Sequence, residues 1–122
     1  MYKLIALDMD GTLLREDKTI SSITQEAIQK AKEKGVKIVL ASGRPVEGIQ
    51  RYLEQLNLIS GEDFVVSYNG AIVQNTKTKE IVSRTVLKGT DLHELYALSQ
   101  ELGVNIHAFS QEGCITPKLT KY

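Results

Sequence analysis

The sequence predicts an α/β fold built on a doubly wound parallel sheet, and three features of its 122 residues predict it. Short apolar, β-branched runs alternate with segments whose apolar residues recur at helical spacing. Each of the first three runs ends in a polar, glycine-containing loop. The residues best suited to chemistry follow those run ends, which is where open α/β sheets bind their ligands.

Residues 3–8 (Lys-Leu-Ile-Ala-Leu-Asp) open the pattern as a strand expected to be buried on both faces and to deliver Asp8 at its C-terminal end. Ser22 with Gln25 three residues later resembles a capping box, and Ile23, Ala27, Ile28 and Ala31 carry helical spacing as far as Gly35. A helix from about Ser22 to Lys34 follows. Residues 36–41 form a second strand, running into Ser42-Gly43-Arg44-Pro45. Pro45 suits the first turn of a second helix, whose apolar face is Ile49, Tyr52, Leu53 and Leu56. A third strand, Phe64 to Tyr68, ends at Asn69-Gly70. Crossovers between such parallel strands are nearly always right-handed.

From Ala71 the pattern changes. Ala71–Gln74 and Ile81–Leu87 read as a hairpin around the polar Thr76-Lys77-Thr78-Lys79. Leu92, Leu95, Tyr96, Ser99 and Leu102 give a helical stripe closed by Gly103, before a strand from Val104 to Phe109. Residues 1–83 are therefore expected to form the first half of a core domain with its hairpin, and 84–122 the start of a second domain. Thr116 to Tyr122 show no element of their own.

Composition narrows the function classes. Fifteen Lys and Arg balance fifteen Asp and Glu, so no net field gathers polyanions or anionic membranes, and neither nucleic acid nor membrane is an expected partner. The apolar opening is cut short by Asp8 and Asp10, unlike an export signal. A lone Cys114 has no partner for an internal disulfide, in keeping with a cytoplasmic location, and is expected to be buried or half-buried. His93 and His107 lack metal-ligand spacing and read as structural or exposed.

Asp8-Met9-Asp10-Gly11-Thr12 carries the most chemistry. Two carboxylates two residues apart at a strand end project toward one site. A carboxylate and a phosphate monoester repel by roughly 4 kcal/mol per pair of unit charges at about 4 Å and an effective dielectric constant of ~20. A divalent cation removes that barrier, and magnesium prefers a carboxylate or two together with phosphate oxygens and water. One carboxylate can then attack phosphorus to form an aspartyl-phosphate, while Asp10 is placed to serve first as acid and then as base. Gly11 allows a tight turn, and Thr12 can fix Asp10 or the loop. Ser42-Gly43-Arg44 offers a hydroxyl and backbone N–H groups at a helix start. Arg44 suits either substrate or a surface ion pair, and Asn69 could line the same rim.

Leu7-Asp8-Met9-Asp10-Gly11-Thr12-Leu13-Leu14, Ala41-Ser42-Gly43-Arg44-Pro45 and Ser67-Tyr68-Asn69-Gly70-Ala71 together resemble the haloacid dehalogenase (HAD) superfamily, and most of all its Cof-type sugar-phosphate phosphatases. The resemblance implies the N-terminal part of a doubly wound, Rossmann-like HAD core with the start of an α/β cap of the C2 type. It implies Asp8 as nucleophile and magnesium ligand, and Asp10 as general acid/base whose backbone carbonyl also binds Mg2+. Ser42 would hold a phosphoryl oxygen, with Met9, Gly43 and Arg44 also binding a small phosphorylated metabolite. The family also uses a later lysine and a Gly-Asp-x-x-Asn-Asp-like motif. Neither is found here, since Lys88 and Lys118 fall outside the region where the family places its lysine. The chain is accordingly expected to be truncated and inactive alone, with its first strand an exposed edge prone to self-association. Two rivals remain: a non-catalytic fragment, and a receiver-like phospho-acceptor domain. The latter would end its third strand in a carboxylate, where this sequence has Ser67-Tyr68-Asn69.

Overall fold

The structure, a computed structural model, describes residues 1–117, so Lys118 and the end of the segment expected to lack an element lie outside the described residues. It divides into two units, the first Met1–Thr85 and the second beginning at Val86. Thr85 belongs to the first because its N–H donates to the Ala71 carbonyl at 2.8 Å.

The first unit holds one five-stranded sheet. Strands β1 (Leu4–Asp8), β2 (Lys37–Ala41) and β3 (Phe64–Ser67) are parallel, and β4 (Ile72–Asn75) and β5 (Ile81–Arg84) run antiparallel, in the order β1-β2-β3-β4-β5. The sheet is mixed for a local reason. Parallel neighbours need a long crossover, which α1 (Ser22–Glu33) and α2 (Gln50–Gln55) provide, whereas β3 reaches β4 through the short turn of residues 68–71. That turn reverses the chain with positive φ at Tyr68 (51°), Asn69 (56°) and Gly70 (92°).

Alternation along β2 buries Ile38 and Leu40 on one face. They meet Ile28 of α1, Val65 of β3, and Ile49, Tyr52, Leu53, Leu56 and Leu58 from the α2 region. Met9, Leu13, Leu14 and Ile20 complete the core from the segment after β1. This packing brings the C-terminal ends of β1 and β2 level, with Asp8 opposite Ala41.

Three local expectations are corrected. The first strand is not buried on both faces: Leu4 and Ile5 are 54% and 37% exposed, because among the described residues β1 is the outermost strand and pairs with β2 alone. The first helix is capped by Ser21 rather than Ser22. The Ser21 hydroxyl accepts from the Thr24 N–H at 3.1 Å, and the Gln25 side chain reaches back to the Ile20 carbonyl at 3.1 Å. The second helix does not start in regular form at Pro45, which precedes a 3-10 turn, Val46–Gly48, with α2 only six residues long after it. The expected apolar face survives the break. Lys32 of α1 closes the far end of α2 by donating to the Leu56 and Asn57 carbonyls at 3.0 and 2.6 Å.

Ser21→Ala should destabilise the protein by about 1 kcal/mol, the usual cost of an N-cap side chain, and Ser22→Ala by much less. Urea midpoints of the two variants check the assignment. Equal losses would return the cap to Ser22.

In the second unit, α3 (Gly89–Leu102) starts with the Lys88 N–H donating to the Asp91 carboxylate at 2.9 Å and stops at Gly103, whose φ of 66° is left-handed. The expected strand from Val104 begins only at Ala108. Strand β6 (Ala108–Ser110) pairs antiparallel with β7 (Gly113–Ile115), a strand the periodicity does not announce because it is three residues long. Cys114 is exposed, contrary to expectation, since every residue of β7 is exposed.

Candidate active site

The chain leaves β1 in a tight reversal held by its backbone. The Leu13 N–H donates to the Asp8 carbonyl at 3.1 Å, and the Thr12 and Leu14 N–H groups donate to the Met9 carbonyl at 3.2 and 2.9 Å. Gly11 sits at φ 80°, a conformation that a side chain would strain. Met9 is wholly buried in the core, so any part it takes in binding falls to its backbone. The reversal leaves Asp8 exposed, with the Thr12 hydroxyl donating to its carboxylate at 3.2 Å.

The loop after β2 is knitted to the turn after β3. The Ser42 N–H donates to the Val66 carbonyl at 3.0 Å, the Asn69 N–H to the Ser42 carbonyl at 3.1 Å, and the Tyr68 N–H to the Arg44 carbonyl at 3.1 Å. Ser42 is 7% exposed, and its hydroxyl accepts from the Arg44 N–H at 3.1 Å. A Cβ on Gly43 would lie 2.8 Å from the Asn69 side-chain oxygen, so a side chain there would have to displace Asn69. Asn69 thus borders the loop, as its place in the sequence suggests.

Arg44 leaves this loop and reaches Asp10. Its Nε and one terminal nitrogen donate to the two carboxylate oxygens at 2.8 and 2.7 Å, a fork-like pairing. Lys18 adds its Nζ at 2.8 Å. First the Arg44 bonds and then the Lys18 bond hold the Asp10 carboxyl far below the usual carboxylate range. The same pairing raises Arg44 further above its already high value. Asp8, Asp10, Ser42, Gly43 and Arg44 therefore share one rim, with Asp10 gripped by two cations.

That grip bears on acid/base work. An ionised Asp10 can accept a proton, but it can donate one only after Arg44 and Lys18 loosen their hold. In metal-free protein, the Asp10 side-chain carboxyl resonance should keep its ionised shift as pH is lowered through the ordinary value of 3.8. Because the folded-state pKa is depressed, the stability this group contributes is complete above the ordinary value and is lost as pH falls below it. A carboxyl NMR titration with a midpoint near the ordinary value would contradict the pairing.

Sequence reasoning missed Lys18, which lies in a stretch legible only as polar, and it read Tyr52 as core alone. Tyr52 is 1% exposed, but its hydroxyl donates to the Lys18 carbonyl at 2.9 Å and the Arg44 guanidinium lies 5.8 Å from its ring centroid.

No cluster of three or more His, Cys, Asp or Glu residues suited to a metal occurs among the described residues. The donor chemistry nevertheless fits a small hard cation at Asp8. The Asp8 carboxylate receives one neutral hydrogen bond, from Thr12, and keeps lone pairs free. The Asp10 side chain is occupied by Arg44 and Lys18, which leaves its backbone carbonyl as the group it would offer. An apolar hollow of about 340 Å³ lies in the second unit between Leu92, Tyr96, Ile106 and Ile115, and no carboxylate lines it. No described helix is long and apolar enough to cross a membrane.

The chain is similar to known proteins over nearly its whole length. The chain is 52% identical over 117 residues to YxeH of Bacillus subtilis (strain 168), which is provisionally named a phosphatase; the match covers 96% of this chain and 43% of YxeH. A haloacid dehalogenase-like hydrolase from Bacteroides thetaiotaomicron superposes with a TM-score of 0.82 at 35% identity, over 97% of this chain and 44% of that one. The HAD subclass IIB sugar phosphatase BT4131 superposes with a TM-score of 0.77 at 28% identity, over 93% of this chain and 43% of that one. The chain thus spans less than half the length of these relatives, and their fold is the Rossmann-like one expected, here as a portion of the larger whole. Residues 5–121 match the haloacid dehalogenase-like hydrolases, and the chain belongs to that family.

Proposed function

We propose that the protein is a magnesium-dependent phosphatase that hydrolyses small phosphate monoesters, sugar phosphates foremost, through an aspartyl-phosphate on Asp8. The observation that carries this reading is the pairing of unequal carboxylates on one rim: Asp8 is exposed and, among the described residues, its side chain is bonded only to Thr12, while Asp10 is clamped by Arg44 and Lys18. An unclamped carboxylate is free to attack phosphorus. A clamped one is oriented for proton transfer.

In the first step an Asp8 oxygen bonds to phosphorus as the ester P–O bond breaks, and the leaving oxygen takes a proton from Asp10. Asp10 takes up that proton from solvent beforehand, which requires Arg44 and Lys18 to shift their charge from Asp10 toward the phosphoryl oxygens. In the second step water attacks phosphorus, giving its proton to Asp10 and releasing the Asp8 carboxylate with phosphate. The Ser42 hydroxyl hydrogen can be turned to a phosphoryl oxygen, with the adjoining Gly43 backbone on the same rim. The Asp8 carboxylate and the Asp10 carbonyl would hold magnesium, which when bound would neutralise the carboxylate–phosphate repulsion. The name of BT4131 supports sugar phosphates as the substrate class. Free, exposed Cys114 accords with a reducing cytoplasm.

The test is phosphate release from a panel of sugar phosphates by the full-length gene product, with magnesium and with excess chelator. Turnover that depends on magnesium supports the reading. Equal rates with chelator would remove the metal from it, and no turnover of any monoester would remove the activity.

A further inference from the structure

We propose that Tyr52 is a positioning residue for Asp10, acting through both cations that grip it. The inference rests on the reading of Asp10 as the group that moves the proton. Tyr52 is 1% exposed and fixed in the core by Ile49 and Leu53 of its own segment, so its ring and hydroxyl are stationary reference points. Both arms of the grip start from it.

One arm is the 15–19 turn. The Arg15 N–H donates to the Thr19 carbonyl at 2.9 Å, and the Lys18 N–H to the Arg15 carbonyl at 2.9 Å. Lys18 adopts φ 63°, a left-handed conformation that costs a lysine energy and needs an external hold. The Tyr52 hydroxyl supplies that hold by donating to the Lys18 carbonyl at 2.9 Å. With its backbone so placed, Lys18 extends its amine to Asp10 at 2.8 Å. The other arm is Arg44, whose guanidinium lies 5.8 Å from the Tyr52 ring centroid and also donates to the Gly48 carbonyl at 3.4 Å. The Arg51 guanidinium donates to the same Tyr52 hydroxyl and covers the ring at 4.5 Å, so the hydroxyl's own hydrogen is directed to Lys18. One buried phenol therefore sets the position of two cations on one carboxylate.

Tyr52→Phe removes the hydroxyl and keeps the ring in the core. Two measurements on the full-length gene product test the proposal. The first is the rate at which trypsin cuts the Lys18–Thr19 bond, followed by mass spectrometry. The scissile carbonyl is the one Tyr52 holds, and the side chain trypsin must bind is the one paired with Asp10. Tyr52→Phe should speed this cut about tenfold while cleavage at other sites is unchanged. The second is a double-mutant cycle on turnover. Tyr52→Phe and Lys18→Met should each lower kcat about tenfold with KM little changed, and the double variant should be no worse than the poorer single one.

Lys18→Arg should recover most of the lost kcat. A Tyr52→Phe protein cut after Lys18 at the wild-type rate, or losses that multiply in the double variant, would overturn the proposal. If the wild-type protein turns over no phosphate ester, the proposed function fails by itself, and the cleavage rates still decide whether Tyr52 holds Lys18.

Discussion

Asp8→Asn is expected to lower kcat for phosphate-ester hydrolysis by at least about 10³-fold, with the fold intact. The amide is nearly isosteric, and among the described residues the Asp8 side chain makes one hydrogen bond, with the Thr12 hydroxyl, which Asn can still accept. Stability should therefore change little. The variant loses the nucleophilic oxygen, since an amide oxygen is a poor nucleophile and carries no charge for a cation. Asp10→Asn leaves the nucleophile in place and should be the milder lesion in trapping experiments, because formation of the phosphoenzyme is slowed while its hydrolysis loses a base. Steady-state rates of the two variants, with thermal melts beside them, check the comparison. Residual activity of Asp8→Asn within tenfold of wild type would mean that another group attacks phosphorus.

Leu53→Ala should cost about 2–5 kcal/mol, the range for emptying a well-packed aliphatic site. Leu53 has no exposed surface, and it anchors α2 beside Tyr52, Ile49 and Leu56. Against a total stability of about 5–15 kcal/mol typical of small domains, that loss removes a large share of the margin and shifts the denaturant midpoint well down. Ile23, 79% exposed on α1, is the control, and Ile23→Ala should fall within about 0.5 kcal/mol of wild type. Denaturant midpoints measure both. The result matters for the site because α2 is short and carries Tyr52, whose hydroxyl reaches the Lys18 carbonyl.

The rim was legible because its residues stand at strand ends, where an apolar run giving way to polar residues and glycine marks both the close of the strand and the start of a loop at the sheet's binding edge. Asp8 after Leu4–Leu7, and Ser42 after Lys37–Ala41, could be placed on this ground alone. Burial of β1 was not legible, because an apolar run states what a strand can bury and says nothing of which neighbours it has. The same holds for Cys114 on β7. The broken start of the second helix escaped because the spacing of Ile49, Tyr52, Leu53 and Leu56 fits a regular helix as well as a 3-10 turn followed by six residues. Lys18 was hidden for a different reason. Its reach to Asp10 depends on a left-handed backbone and a hydrogen bond from Tyr52, 34 residues away, and neither leaves a trace in local composition.

The proposed function places a covalent phosphoryl group on one named oxygen, and trapping it is the most direct test. The full-length gene product, mixed with a sugar phosphate labelled at phosphorus and quenched in acid within one turnover, should carry label that is lost in alkali or hydroxylamine, as acyl phosphates are. Peptide mapping should find it in the segment containing Asp8, on Asp8 itself, and Asp8→Asn should carry none. Label on Ser42, on Asp10 or on no residue while turnover proceeds would contradict the account.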